Sequence, residues 1–253
     1  MDKTPTFRFS TAIRFLLPLV FAVLWGGGDA VAQPATDIES TVCAAVTLLE
    51  GESTVNGSSP EQRPLETNEI LYAGSVLQTG GGSKMELTFS DNSIVRLNGD
   101  SSIELGIDDR NEEKQTWRFQ VKLLKGNIWV TLPEQPEDRG SPQILAVGAL
   151  LEGEKCSFRV TLYQDGAAEM KVYSGYVTAS GPFVYKKEVS RFLLQPAGDD
   201  EMRVTDPWRY RIEPYRKIII QASGKETKPF RFAARADMSE WVQWNQQRDA
   251  NIR

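Results

Sequence analysis

Trp117-Arg-Phe-Gln-Val-Lys-Leu-Leu-Lys-Gly-Asn-Ile-Trp-Val130 decides the class of fold. Trp117, Phe119, Val121 and Leu123 alternate with Arg118, Gln120 and Lys122. A period of two puts the apolar set on one face of a pleated strand and the polar set on the other, facing water. After Leu123-Leu-Lys-Gly-Asn127 the alternation resumes, with Trp129 on the face opposite Ile128 and Val130. A glycine inside such a pattern marks a bulge or sharp bend, because it reaches backbone angles closed to other residues.

The same habit extends outward in both directions. Met85, Leu87 and Phe89 alternate with Glu86 and Thr88, and Ile103, Leu105 and Ile107 continue it. Cys156, Phe158, Val160 and Leu162 alternate with Ser157, Arg159 and Thr161. Turn clusters punctuate these runs: Asn56-Gly-Ser-Ser-Pro60, Gly80-Gly-Gly-Ser83, Asp91-Asn-Ser93, Asn98-Gly-Asp100 and Gln164-Asp-Gly166. A degenerate repeat, Leu48-Leu-Glu-Gly-Glu52, Leu123-Leu-Lys-Gly-Asn127, Leu150-Leu-Glu-Gly-Glu154 and Val172-Tyr-Ser-Gly-Tyr176, sets a glycine after each apolar stretch. The expected fold is all-β: a two-layer antiparallel sandwich or β stack with glycine-marked bends, plus one short C-terminal helix. That helix is predicted from Asp237 to about Asn251, where Met238, Trp241, Val242 and Asn245 or Trp244 recur at helical spacing. Asp237 and Glu240 have the spacing of a capping box.

The chain has 253 residues, of which 40% are apolar, enough for a real core. Lys3, Arg8 and Arg14 precede an 11-residue apolar run, Phe15 to Trp25, and Ala30-Val-Ala32 follows it. This is the pattern of a cleaved secretory signal, and the run is short of the roughly 20 residues a membrane span needs. Residues 1–32 are therefore expected to be removed, leaving a periplasmic or secreted chain with no transmembrane span. Residues 33–202 hold 15 basic and 26 acidic residues, whereas 203–253 hold 11 and 6. An acidic body of 33–202 with a basic tail of 203–253 predicts that the tail folds back onto the body.

Histidine is absent, which excludes His-based triads, His-ligated zinc and the commonest acid–base catalyst. A net charge of −5 argues against a nucleic-acid partner. The acidic groups Asp108-Asp109 with Glu112-Glu113, and Asp199-Asp200-Glu201, lack the turn glycine of a calcium loop and read as solvated loops. Gly80-Gly-Gly-Ser-Lys84 lacks the spacer of a phosphate loop and reads as a turn. No catalytic, cofactor-binding or metal residue is predicted. Among the tryptophans, Trp117 belongs to the core, while Trp129 is expected beneath the tail. Trp129, Trp241 and Trp244 are the candidate partner contacts, with the two helical residues docking on a sheet.

Residues 69–105 resemble the core of FecR-type domains through Gly74, Thr79-Gly80, Met85/Leu87/Phe89, Asp91-Asn92-Ser93 and Ile94/Val95/Leu97. Leu124-Lys-Gly-Asn-Ile-Trp-Val130 and Val172-Tyr-Ser-Gly-Tyr-Val177 are similar to later elements of that family, and Trp244-Asn-Gln-Gln-Arg-Asp249 is similar to its exported C-termini. Asn92 replaces the usual turn glycine, and Lys155-Cys-Ser-Phe158 stands in for a Gly-Thr-x-Phe element. The resemblance implies an exported β module that binds or scaffolds in the bacterial cell envelope, in reach of envelope signalling. Only 14 residues precede the apolar run, so the family's cytoplasmic anti-sigma domain is not expected.

Three functions follow from these readings. The first is a non-enzymatic module binding an envelope protein or polymer. The second is an adaptor gripping peptidoglycan or lipopolysaccharide through the basic tail. The third is a carbohydrate-active enzyme using paired carboxylates. The two cysteines of an exported chain, Cys43 and Cys156, are expected to form a disulfide closing a loop of 113 residues. A loop of that size stabilises by roughly 4–5 kcal/mol in the chain-entropy account.

Overall fold

The computed structural model describes residues 42–57, 61–111, 116–135, 142–182 and 207–252, and no side chains within 108–117. The expected signal segment, the Trp117 side chain, Glu112-Glu113 and the acidic group at 199–201 lie outside the described residues, whereas the backbone of Asp108-Asp109 runs in a strand and not in the expected loop.

The described strands are β1 (Val42–Glu50), β2 (Ser53–Asn56), β3 (Arg63–Pro64), β4 (Ile70–Tyr72), β5 (Val76–Thr79), β6 (Lys84–Phe89) and β7 (Ile94–Leu97). After them come β8 (Ser102–Asn111), β9 (Thr116–Leu132), β10 (Gln143–Ala146), β11 (Ala149–Leu162) and β12 (Ala168–Gly181). β13 (Trp208–Ile212), β14 (Arg216–Ile220) and β15 (Phe230–Arg231) complete one sheet, and a helix α1 (Glu240–Ala250) ends the chain. The pairings among the described residues are antiparallel apart from β9 with β10.

Three long strands change partners halfway along. Residues 116–125 of β9 pair with β8, and residues 126–132 pair with β7 and β11. Residues 150–154 of β11 pair with 176–180 of β12, whereas 157–162 pair with 168–174. The first half of β12 then takes β14 and the second takes β13. One sheet thus carries two leaves. Leaf I holds β2, β5, β8, β10 and β13 with one half of each long strand. Leaf II holds β1, β6, β7 and β14 with the other halves.

Phase changes in the apolar pattern mark the joints. Inward residues run Phe119, Val121, Leu123 and then Ile128, Val130, Leu132, and in β12 Met170, Val172 and then Val177, Ala179. An odd step between inward residues needs one extra residue in the strand, which a bulge supplies. Gly126 (φ 84°) and Gly175 (φ 64°) occupy these steps in left-handed backbone. A Cβ on Gly175 would run into the Lys155 carbonyl, so the close approach as well as the angle requires glycine there. The glycine-marked, two-layer reading of the sequence is what the structure has.

One core fills the space between the leaves. The rung Met85–Leu97–Ile128–Val160–Met170–Ile218 crosses leaf II through β6, β7, β9, β11, β12 and β14, with every member buried. Both cysteines belong to this core.

Two expectations fail in the structure. Cys43 and Cys156 are separate thiols and form no disulfide. The Cys43 sulfur faces β8, 3.9 Å from the Gly106 carbonyl oxygen, while Cys156 fills the space where a Gly153 side chain would stand. Burial pushes each thiol up to about 12. Nor does the polar set of leaf II face water. Glu86, Arg96, Ser157 and Arg159 are all buried, because the end of the chain covers them.

Candidate functional site

The outer face of leaf II carries a rung of unusual composition: Glu86–Arg96–Trp129–Arg159–Lys171–Lys217, one residue from each of β6, β7, β9, β11, β12 and β14. Strand alternation alone puts them in line. Four cations side by side repel one another unless anions are interleaved. Glu86 and Glu169 come from the sheet, and Asp237 and Asp249 come from the C-terminal segment.

The helix that delivers Asp249 begins at Glu240, later than the predicted Asp237. Ser239 caps it, accepting a 3.4 Å hydrogen bond from the Val242 amide. Asp237 sits instead in a 3-10 turn, Ala234–Asp237, because its carboxylate is held by the sheet. Trp241, Val242, Asn245 and Asp249 form the buried stripe of α1, a face half apolar and half polar.

Asp249 is enclosed by donors from the sheet. Arg96 Nη1 donates to Oδ1 at 2.6 Å and Thr131 Oγ1 to the same oxygen at 2.9 Å. Trp129 Nε1 and Ser157 Oγ each donate to Oδ2 at 3.0 Å. Arg96, with no side-chain exposure, also donates through Nε to Glu86 at 2.6 Å and through Nη1 to Asn245 at 3.3 Å. Arg248 reaches back to grip both Glu86 oxygens, at 2.8 and 2.9 Å. Burial by itself would raise Glu86, but the hydrogen bonds from Arg248 and Arg96 outweigh it and hold the carboxyl below its ordinary range.

A second anchor lies at Asp237. Arg159 Nη2 at 2.7 Å, Lys171 Nζ at 2.8 Å and the Tyr173 hydroxyl all donate to it. Here too desolvation is overcome by the donors, and Asp237 titrates below its ordinary value. Glu169 behaves likewise between Lys171 and Lys217. Burial first, and the Asp237 charge with it, pushes the Tyr173 hydroxyl up.

Between the anchors lies an aromatic floor. Trp129 packs on Tyr173 with ring centroids 4.5 Å apart, and Tyr173 meets the edge of Phe232 at 5.6 Å. Trp241 and Val242 complete the cluster, and Trp244 stacks on Trp241 at 5.3 Å. Of the three candidate contact tryptophans, Trp129 and Trp241 are buried and Trp244 is half-buried. Lys84 and Arg248 each stand 5.1 Å from the Trp244 ring, and Arg96 stands 5.9 Å from it.

Sequence reasoning missed Arg96, Glu86, Tyr173 and Asp249. A signal existed for two of them. Arg96 is the one charge in Ile94-Val-Arg-Leu97, and Asp249 lies eight residues after Trp241, on the same helical face. The chemistry of the arrangement is anion holding. Among the described residues no group of three or more His, Cys, Asp and Glu side chains is placed to hold a metal ion.

Residues 75–178 match the family model for the FecR protein. This stretch is FecR-like. It contains Arg96, Trp129, Thr131, Ser157, Arg159, Lys171 and Tyr173, so the FecR-like segment supplies the receiving face. The inserted side chains Asp237, Trp241, Asn245 and Asp249 lie beyond it. Two crystal structures of a "putative anti-sigma factor" from Parabacteroides distasonis ATCC 8503 are similar at 15% identity, with TM-scores of 0.43 and 0.44, over 63% of this chain and 61% of theirs. The chain thus spans about three-fifths of the length of those structures. A structure named "Cell surface anchoring domain" is similar at 28% identity over 26% of this chain and 86% of its own, with a TM-score of 0.25. No curated protein matches the chain.

Proposed function

We propose that the chain is an exported, non-enzymatic FecR-like binding or scaffold module of the bacterial cell envelope, working in envelope signalling. The FecR match over residues 75–178 carries this reading. The site supports it from the chemical side. Glu86, Glu169, Asp237 and Asp249 are each held by cationic donors, an arrangement suited to gripping a segment and poor for proton transfer. Among the described residues no helix is long and apolar enough to cross a membrane. Crosslinking in intact envelopes, followed by N-terminal sequencing of the recovered chain, tests the reading. It expects a start at Gln33 and a defined protein partner. Recovery in the cytoplasm, or no crosslinked protein, contradicts it.

A second reading has its own observation. Arg209, Arg211, Lys225, Lys228, Arg231 and Arg235 are exposed in the basic C-terminal region, in keeping with an adaptor for peptidoglycan or lipopolysaccharide. Pull-down with isolated peptidoglycan, lost on neutralising these side chains, would favour that polymer over a protein partner.

A further inference from the structure

The receiving face of leaf II has a definite specificity. All four donors to Asp249 come from the sheet: Arg96 on β7, Trp129 and Thr131 on β9, and Ser157 on β11. None comes from α1. The same is true of Asp237, whose donors Arg159, Lys171 and Tyr173 belong to β11 and β12. Two carboxylate receptors with an aromatic floor between them would therefore accept an equivalent segment from another chain.

The chain's own segment fills these receptors incompletely. Arg96 Nη2 and Trp241 Nε1 are buried within the contact and have no hydrogen-bond partner among the described residues. A buried donor left unmet forfeits binding energy that a better-matched occupant would recover. The contact also leans on buried ion pairs, whose mutual attraction is largely offset by desolvation. An 11-residue helix has little stability of its own once it leaves the sheet.

We infer that this face is a docking site for an acidic helical segment of a partner protein, and that residues 234–250 are an intramolecular plug which such a segment displaces. The inference rests on the reading of the chain as a binding module and names the chemistry of its ligand. The fitting segment presents two carboxylates about twelve residues apart, aromatic residues between them and a further acceptor towards Arg96.

The probe is a fluorescein-labelled peptide of residues 232–252, added to the full chain and to its Asp237→Asn/Asp249→Asn variant, which weakens the plug without altering the sheet. Closure of the site lowers apparent affinity by the fraction of open molecules, so the variant should bind the peptide at least about tenfold more tightly than the unaltered chain. A peptide carrying the same two Asn substitutions should lose that binding. Equal affinity of both chains, or equal binding of both peptides, overturns the proposal. Hydrogen exchange on the unaltered chain is independent of any variant's folding: amides of 241–250 should exchange well before those of 156–162, and equal protection overturns the plug. If the unaltered chain dimerises and the peptide dissolves the dimer, the occupant is a second copy and the partner assignment falls. Peptide binding without any crosslinked envelope protein would leave the docking site standing and sink the broader function instead.

Discussion

The two outer faces of this sheet share the long strands β9, β11 and β12 and hold their ion pairs in different surroundings. On leaf I the pairs are long and wet. Arg118 lies 3.7 Å from Glu152 and Lys122 lies 3.8 Å from Glu104, with 20–37% of each side chain exposed. Arg118 and Glu152 also line an open depression of about 240 Å³ with Glu154, Tyr176 and Arg209. On leaf II the pairs are short and enclosed, and Arg96 touches both Glu86 and Asp249 at 2.6 Å. The bends at Gly126 and Gly175 turn one strand's polar residues into two environments. What separates the faces is the chain end that covers leaf II.

This contrast predicts where substitution hurts most. Arg96→Ala takes the shared cation from two buried carboxylates and leaves Asp249 with the neutral donors Trp129, Thr131 and Ser157, so urea unfolding should show a loss of ~3–5 kcal/mol. Arg118→Ala removes an exposed pair and should cost no more than about 1 kcal/mol. Similar losses at the two positions would abolish the distinction between the faces.

Acid should separate the faces by sign. Glu86, Glu169 and Asp237 titrate below their ordinary values when folded, so their contribution is complete above the ordinary carboxylate range and is lost as pH falls through the lower folded values. Glu104 on leaf I is raised, chiefly by burial, with Lys122 pulling the other way. Protonating it relieves the folded state, so its contribution runs opposite. Near-UV circular dichroism from the stacked Trp241–Trp244 pair should therefore fade on acidification before the far-UV strand signal does. Simultaneous loss of both signals would mean that α1 and the sheet are one cooperative unit.

Smaller effects sharpen the picture. Ser239→Ala removes the helix cap and should cost about 1 kcal/mol, read as faster exchange in α1 with no change in β11. Glu104→Gln should give a slight gain in stability at neutral pH that fades as pH falls through the raised value and is gone below the ordinary carboxylate range. A loss at neutral pH would show that the Lys122 pair dominates there.

Much of this fold was legible as pattern. Alternation located the strands, and the glycines of the weak repeat fell at the odd steps where β9 and β12 bend. Trp129 read as outward-facing from its phase alone. Local pattern does not carry pairing across long sequence separations, and there the reading failed. Ser157 and Arg159 looked solvent-facing because nothing in their own strand announces a helix ninety residues away. Asp237 looked like a cap because its spacing to Glu240 is right, yet Arg159, Lys171 and Tyr173 compete for its carboxylate and win. The disulfide argument used compartment and parity, and neither specifies that Cys43 faces β8 while Cys156 packs at the β11 bend.

The central claim is that the C-terminal helix closes leaf II through Asp249 and Arg96. A double-mutant cycle of Arg96→Ala and Asp249→Ala measures it most directly, with each variant followed by urea unfolding. A buried, hydrogen-bonded charge pair should show coupling of about 2 kcal/mol or more. Coupling below about 0.5 kcal/mol, the level of independent sites, would mean that the two side chains do not meet in solution and would contradict the account.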